Sequence, residues 1–132
     1  FGATREISNK LSKAYLSLFI AGTENNRAGV LSAALEIGYF KDTLLDSYKS
    51  HVIDLFLMAC EPLRTTGEFD FKNSPLATNI KNAGLELSAQ SQQWHTPPVD
   101  ALFIHRKLAG LYLIAAKLNA KIDINALFKP YI

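Results

Sequence analysis

Residues 99–119 read VDALFIHRKLAGLYLIAAKLN, the most apolar segment of the chain with helical spacing. At 100° per residue, one face collects five of its side chains: Ile104, Leu108, Leu111, Ala115 and Leu118. Phe103, Leu113 and Ile114 cover much of the remaining surface. Apolar residues on nearly all sides are typical of a helix that other helices surround. We therefore predict that this segment is the central helix of the core.

The segments at the start of the chain also have helical spacing. The first predicted helix runs from Glu6 to about Ala21, and Gly22 ends it. A second predicted helix contains residues 30–35 and ends at Gly38, because glycine suits a left-handed C-terminal cap.

Prolines bound the predicted helices in the middle of the chain. The third begins at an Asp42 N-cap and ends before Pro62, which cannot continue a helix. The pair Ser74-Pro75 opens a fourth, which runs toward Gln93. Residues 63–74 between them form the one substantial predicted loop.

Two shorter features complete the predicted secondary structure. Phe69 and Phe71 lie two residues apart in the loop, and we expect them to pin it to the body of the protein, with an exposed aromatic patch as the alternative. Asp123 caps a last turn that reaches Phe128. No segment alternates strictly with period two, so no strand is predicted.

The composition agrees with a single helical domain. The chain has 132 residues, enough for one core, with 48% hydrophobic and 20% charged residues. We predict an all-α fold: a compact bundle of five to six helices, with residues 1–132 as one domain. Cys60 is the only cysteine, which favours a reducing, cytoplasmic compartment. The net charge of +2 does not suggest a nucleic-acid partner.

Positive charge collects at the end of the sequence. From Ala101 onward there are five basic residues and one acidic residue, Asp123. Arg106, Lys117 and Lys121 would form one strip along a continuous helix. The simplest interpretation is a solvated face, and the alternative is a site for anionic lipid or a partner protein.

His105 and Lys107, on the same predicted helix, lie in or near its apolar face. His105 is predicted to be a hydrogen-bonded histidine in or beside the core. Lys107 falls near the apolar arc. Either its stem packs while the ammonium reaches solvent, or the ammonium pairs with Asp54 or Glu61.

The residues themselves do not supply a catalytic set. The glycines stand singly, so no phosphate-binding loop is present, and the three histidines have no zinc-site spacing. The tripeptide His105-Arg106-Lys107 has lysine where a kinase catalytic loop needs aspartate. Cys60 is predicted to be a small buried hydrophobe. We therefore assign no catalytic residue and no metal ligand.

Short motifs spread over the chain carry a family resemblance. In chain order they are Phe1-Gly2-Ala3-Thr4-Arg5-Glu6, Asn26-Arg27, Ile37-Gly38-Tyr39-Phe40, Glu61-Pro62, Phe69-Asp70-Phe71 and His105-Arg106-Lys107 with Gly110. Their identity and order resemble the UbiB (AarF-domain) atypical kinases, in the branch linked to coenzyme Q. The first motif resembles the Asp-Phe-Gly-Ala-Thr-Arg-Glu stretch of that family. Lys72 and Ala109 depart from glycines that are frequent there.

The resemblance implies a fragment of a larger protein. It implies the helical C-terminal lobe of a kinase-like ATPase that binds ATP and magnesium and supports ubiquinone biosynthesis. Phe1 and Gly2 would be the remainder of the metal-loop motif, and the catalytic groups would lie before Phe1. The fragment alone is therefore expected to hold no cofactor and to be inactive. Implied partners are the upstream kinase-like lobe, a membrane surface at which the protein is peripheral, and proteins of ubiquinone biosynthesis.

A free-standing helical module is the alternative. Its basic strip or its Phe69-Asp70-Phe71 loop would dock a protein or an anionic membrane. An aspartate codon immediately before Phe1, preceded by a nucleotide-binding lobe, would favour the kinase-like parent. A start codon at that point would favour the module.

Overall fold

Helices make up most of the part of the chain that the structure describes. The structure is a computed structural model and describes residues 5–40, 46–89 and 99–132. Its elements are α1 (Asn9–Thr23), α2 (Arg27–Ile37), α3 (Asp46–Ala59), α4 (Glu61–Arg64), β1 (Phe69–Asp70), α5 (Leu76–Ala89), α6 (Val99–Lys117), β2 (Lys121–Ile122), α7 (Ile124–Phe128) and a 3₁₀ turn (Lys129–Tyr131). The predicted all-α class is confirmed, with seven helices in these ranges rather than five to six. The assignment of residues 1–132 to one domain stays a prediction.

Asparagine and glycine shape the ends of α2. Asn25, in the turn after α1, has a left-handed φ of 54°, which asparagine tolerates better than most residues. The side chain of Asn26 accepts a hydrogen bond from the Gly29 amide at 3.0 Å and so caps α2. Gly38 ends the helix at a φ of 81°, as predicted. The turn at Asn25 brings α2 back along α1, and the two helices pack against each other.

The boundaries of α1 differ from the prediction. The Ser8 hydroxyl accepts a hydrogen bond from the Leu11 amide at 3.2 Å, so the helix begins after Ser8 rather than at Glu6. Gly22 does not end the helix. A Cβ built on Gly22 would lie 2.4 Å from the sulfur of Cys60, so glycine is needed there for close approach between two segments.

Arg64 links the carboxyl-terminal turns of α1 and α3. Its guanidinium donates hydrogen bonds to the carbonyl of Gly22 at 2.8 Å and to that of Leu57 at 2.7 Å. Carbonyls in a last helical turn run short of intrahelical donors, and a cation there also complements the helix dipole. One side chain therefore fixes both helix ends relative to α4.

Pro62 lies inside a short helix instead of ending a long one. α3 ends at Ala59, Cys60 precedes α4, and Pro62 occupies the second position of α4. Proline is tolerated there because the first amides of a helix have no intrahelical acceptor. Asp42, the predicted N-cap of the third helix, lies outside the described residues, and α3 is described from Asp46.

A pair of short strands corrects the prediction that the chain contains none. β1 and β2 pair antiparallel, with Phe69 opposite Ile122 and Asp70 opposite Lys121. Asn119 precedes β2 with a left-handed φ of 54°, which turns the chain after α6. Strands of two residues are too short to show an alternating pattern, so periodicity could not predict them.

Two apolar centres hold these elements together. The first lies among α1, α2 and α3, where Leu18, Val30 and Val52 are at most 2% exposed. Burial of such a side chain contributes about 1.5–3 kcal/mol. The second centre surrounds Phe69 and Phe71, whose burial confirms that they pin the loop. α6, β2 and α7 add side chains to this second centre.

α6 is not the central helix that its apolar sequence predicted. Ile104 reaches the first centre, while Tyr112, Ala115 and Ala116 reach the second. Among the side chains whose exposure the structure describes, four large aliphatic ones on α6 are exposed: Leu108 45%, Leu111 63%, Leu113 60% and Ile114 55%. Leu118, in the turn directly after the helix, is 73% exposed. Periodicity shows which side chains share a face, but not whether another element covers that face. In this structure α6 lies at the periphery.

Substitution of Gly22 tests the close approach of α1 to Cys60. We expect Gly22→Ala to lower the free energy of unfolding by roughly 1–3 kcal/mol, because the added methyl group overlaps the Cys60 sulfur. Gly84→Ala is the control: its Cβ would meet nothing within 4 Å, and the change should be neutral or stabilising. Urea unfolding followed by circular dichroism measures both. A Gly22→Ala protein as stable as wild type would contradict the contact.

Substitution of Arg64 tests the link between the helix ends. We expect Arg64→Met to cost about 2 kcal/mol, because the Gly22 and Leu57 carbonyls lose a charged donor. Arg27→Met is the control, since the exposed Arg27 guanidinium pairs with Asp54 and donates to Ser50 at the surface, where an ion pair contributes about 0–1 kcal/mol. The same urea titrations measure the difference. Equal losses for the two variants would mean that Arg64 has no special role.

Candidate functional site

His105 lies in an aromatic cluster where α6 meets the first half of the chain. Tyr39, just after α2, stacks on the imidazole with ring centroids 5.3 Å apart and an interplanar angle of 20°. Tyr15 of α1 and Phe56 of α3 meet the same ring edge-on, at 5.9 and 5.7 Å. We call these four residues the His105 cluster. It joins α6 to α1, to α3 and to the turn after α2.

The electrostatics of the His105 cluster favour neutral side chains. Burial lowers the pKa of His105, and burial raises the pKa of Tyr15 and of Tyr39. The Tyr15 hydroxyl is buried and has no hydrogen-bond partner within the described residues. General acid–base catalysis needs a pKa near the working pH and access to a substrate. The cluster therefore serves packing better than proton transfer.

Lys107 is exposed and lies beside an aromatic ring. Its ammonium is 5.6 Å from the centroid of the Phe103 ring, within the range of a cation–π contact. Asp54, one of the two carboxylates considered as its partner, instead pairs with Arg27. Of the two alternatives for Lys107, the structure has the one in which the ammonium reaches solvent.

The basic strip is divided between two elements. Arg106 and Lys117 are exposed on α6, which ends at Lys117. Lys121 lies in β2 opposite Asp70, because the left-handed backbone at Asn119 has already turned the chain. The expectation of one helical strip that includes Lys121 is therefore wrong in its geometry. Arg106 and Lys117 remain on one side of α6, and Lys107 lies next to Arg106 in the same helix.

Asp70 gives the β1–β2 pair a local charge network. Its carboxylate accepts hydrogen bonds from the side chain of Asn73 at 2.8 Å and from the Asn73 amide at 3.2 Å. These bonds chiefly, with a further contribution from Lys121, hold the pKa of Asp70 below its usual value. This exposed carboxylate organises the turn that follows β1.

Cys60 has the properties of a core residue. It is 3% exposed, and burial raises the pKa of its thiol to about 11, although the Arg64 charge acts in the opposite direction. Because the thiolate is the reactive form, a raised pKa makes the side chain a poor nucleophile. The prediction of a small buried hydrophobe is confirmed.

The described residues do not include the expected metal-loop remnant, and they contain neither a metal site nor a membrane-spanning helix. Phe1 and Gly2, the two residues linked to a metal-loop motif, lie outside the described residues. Across residues 5–40, 46–89 and 99–132, no three His, Cys, Asp or Glu side chains converge as metal ligands would. None of the helices described in these ranges is both long and apolar enough to cross a bilayer.

Two features of the site were missed by reading the sequence. Tyr39 was noted only within a motif, and nothing in its spacing pointed to His105, which lies 66 positions later. Arg64 carried no local signal either, because both of its acceptors are backbone carbonyls. Such contacts arise only when distant segments are brought together.

Comparisons with known proteins find relatives that cover almost the whole chain. No protein-family model matches the chain. It is 30% identical over 132 residues to "Atypical kinase COQ8, mitochondrial" of Saccharomyces cerevisiae, which covers 98% of the chain and 26% of that protein. The Schizosaccharomyces pombe protein of the same name is 29% identical, with 97% and 21% covered. "Atypical kinase COQ8B, mitochondrial" of Rattus norvegicus is 26% identical, with 98% and 24% covered. The chain thus spans about a quarter of these relatives.

The pH dependence of stability tests the burial of His105. Its lowered pKa means that the unfolded chain binds more protons than the folded one once the pH falls below about 6.5, the ordinary pKa of histidine. The contribution of neutral His105 is complete above that pH and is lost as the pH falls. We therefore expect wild-type stability to drop between pH 7 and pH 5.5.

One variant isolates the His105 contribution. His105→Phe keeps a ring in the cluster and should flatten the dependence between pH 7 and pH 5.5. The difference between its profile and that of the wild type gives the contribution of His105. Urea midpoints at five pH values provide the measurement. A stability that rises as the pH falls would show that the folded state accepts the proton.

Proposed function

We propose a function from one premise: over nearly its whole length, this chain is a relative of the COQ8 atypical kinases of the UbiB family. The observation that carries it is 30% identity over 98% of the chain. We propose that the chain is the helical C-terminal-lobe segment of such a kinase-like protein. The ATP-dependent activity of that protein would support ubiquinone biosynthesis. The order of the motifs and the all-α fold support this assignment.

Within that protein, the segment would act as a scaffold. Phosphoryl transfer needs a phosphate-binding lysine, a catalytic aspartate and ligands for magnesium. The described residues instead contribute packing, through the His105 cluster and the close approach of Gly22 to Cys60. They do not fit a site for ATP or magnesium, so those cofactors would be held by the remaining part of the parent protein.

The proposed location rests on the names of the relatives rather than on composition. The lone Cys60 favours a reducing compartment, and cytoplasm was the first expectation. The relatives from yeasts and rat are named mitochondrial. We therefore propose a mitochondrial site of action, with attachment to a membrane surface as a further proposal for the whole protein.

The alternative function is a free-standing helical interaction module. One observation favours it: α6 presents several leucine side chains to solvent, and exposed apolar patches mark surfaces that bind partners. A kinase-like segment separated from its lobe would show the same exposure. The two proposals therefore differ in what the gene encodes before Phe1, where the kinase-like parent requires an aspartate and a nucleotide-binding lobe.

Nucleotide binding tests the proposed division of labour. We expect isothermal titration of the 132-residue chain with Mg-ATP to show no binding, because the phosphate and metal ligands are lacking. The full gene product should bind Mg-ATP. A variant in which the aspartate expected before Phe1 is replaced by asparagine should bind it more weakly. Micromolar affinity of the 132-residue chain would contradict the scaffold assignment.

A further inference from the structure

An exposed line of side chains on α6 has the spacing of a helix-packing seam. Lys107, Leu111 and Ile114 of α6 and Leu118, directly after it, follow one another at intervals of four, three and four residues. The Leu118 amide donates to the Ile114 carbonyl at 2.9 Å, so the helical spacing reaches Leu118. The three aliphatic members are 63%, 55% and 73% exposed. Intervals of four and three place side chains along one edge of a helix, as in the seams of coiled coils. We call these four residues the α6 seam.

The charge beside the α6 seam has one sign. Arg106 and Lys117 lie next to it on the helix, and Lys107 is within it. No acidic residue occurs between Ala101 and Asn119. The surface is therefore complementary to a partner that carries carboxylates.

The apolar surface continues beyond α6. Ile104 lines a groove of about 320 Å³ that it shares with Leu16 and Phe19 of α1 and with Phe128 and Tyr131 near the end of the chain. Leu16 and Tyr131 are 36% and 68% exposed. The seam and the groove gather several exposed apolar side chains, and clustered apolar exposure is typical of an interaction surface.

The packed face of α6 is next to the seam: Ile104 and Ala115 border the seam, and Ala116 lies across the helix from it. Ile104, Tyr112, Ala115 and Ala116 make its apolar contacts with the rest of the protein. The helix has 19 residues and so is roughly 28 Å long, a length that an antiparallel or parallel helix can match. A second helix on the seam would enclose α6 from two sides.

A second copy of this chain and a lipid surface fit the seam less well. Two copies facing each other would bring Arg106, Lys107 and Lys117 together without an acidic counterpart. A helix lying on a membrane keeps its cations at the rim of a broad apolar face, whereas Lys107 stands in line with the apolar residues. An acidic amphipathic helix satisfies both the apolar line and the ammonium within it.

We propose that the α6 seam is the docking face for an amphipathic helix from the remaining kinase-like polypeptide, with a carboxylate of that helix paired to Lys107. The source is argued from length, since the chain spans only 26% of the yeast relative, which has ample sequence to supply such a helix. This assignment rests on the proposed function. It adds the surface, the helical form and the charge of the contact.

Cysteine labelling measures whether the seam is covered. Leu111→Cys and Ile114→Cys are prepared both in the full gene product and in the 132-residue chain, with Cys60 buried as a low background. Leu85→Cys on α5 is the matched control, because Leu85 is 60% exposed and outside the seam. We expect maleimide to label the seam cysteines at least about tenfold more slowly in the full product than in the 132-residue chain. The Leu85→Cys rate should be the same in both.

Each outcome decides the proposal. Equal labelling of the seam in the two proteins overturns it, even when the full product binds Mg-ATP and the proposed function stands. Absence of a nucleotide-binding lobe from the gene product overturns the proposed function first. Seam protection in the 132-residue chain that grows with its concentration indicates a second copy and overturns the proposal. Protection of that chain by phosphatidylglycerol vesicles, without protection in the full product, overturns it in favour of a membrane.

The charge part of the proposal has its own test. Lys107→Glu in the full product should restore fast labelling of Leu111→Cys, because the seam would then face the acidic helix with like charge. Lys129→Glu, at an exposed position outside α6, should leave the protection unchanged. Unchanged protection in the Lys107→Glu protein overturns the carboxylate pairing.

Discussion

The contact between Gly22 and Cys60 is the constraint on which the first half of the structure depends. It sets how closely the end of α1 approaches the junction of α3 and α4, and only a residue without a side chain permits that distance. Arg64 holds the arrangement by donating to carbonyls of α1 and α3. The aromatic surface that receives His105 is built on these same helices, so the placement of α6 depends on it as well.

α6 connects this framework to the proposed function. One face of the helix is held by the His105 cluster and by the second apolar centre, and the adjacent face presents leucines beside basic residues. A helix with an apolar sequence on nearly all sides is expected in an interior. Its exposed seam is what a scaffold segment of a larger kinase-like protein would show where another part of that protein packs.

The prediction of the fold was accurate where the signal was local. The caps at Gly38 and Asp123 and the burial of Phe69 and Phe71 followed from residue type and short spacing. It failed where the outcome depended on contacts between distant residues. Gly22 looked like a helix terminator because a glycine needed for close approach and one needed for a turn are the same letter in a sequence.

The sequence by itself determined the helical class, several helix ends and the resemblance to the UbiB atypical kinases, because helical periodicity, capping and short motifs are properties of neighbouring residues. Only the tertiary structure decided that His105 joins an aromatic cluster, that Lys121 leaves the basic strip for a strand, and that α6 lies at the surface. These outcomes depend on which faces of distant segments meet, and on which of them find no partner within the chain.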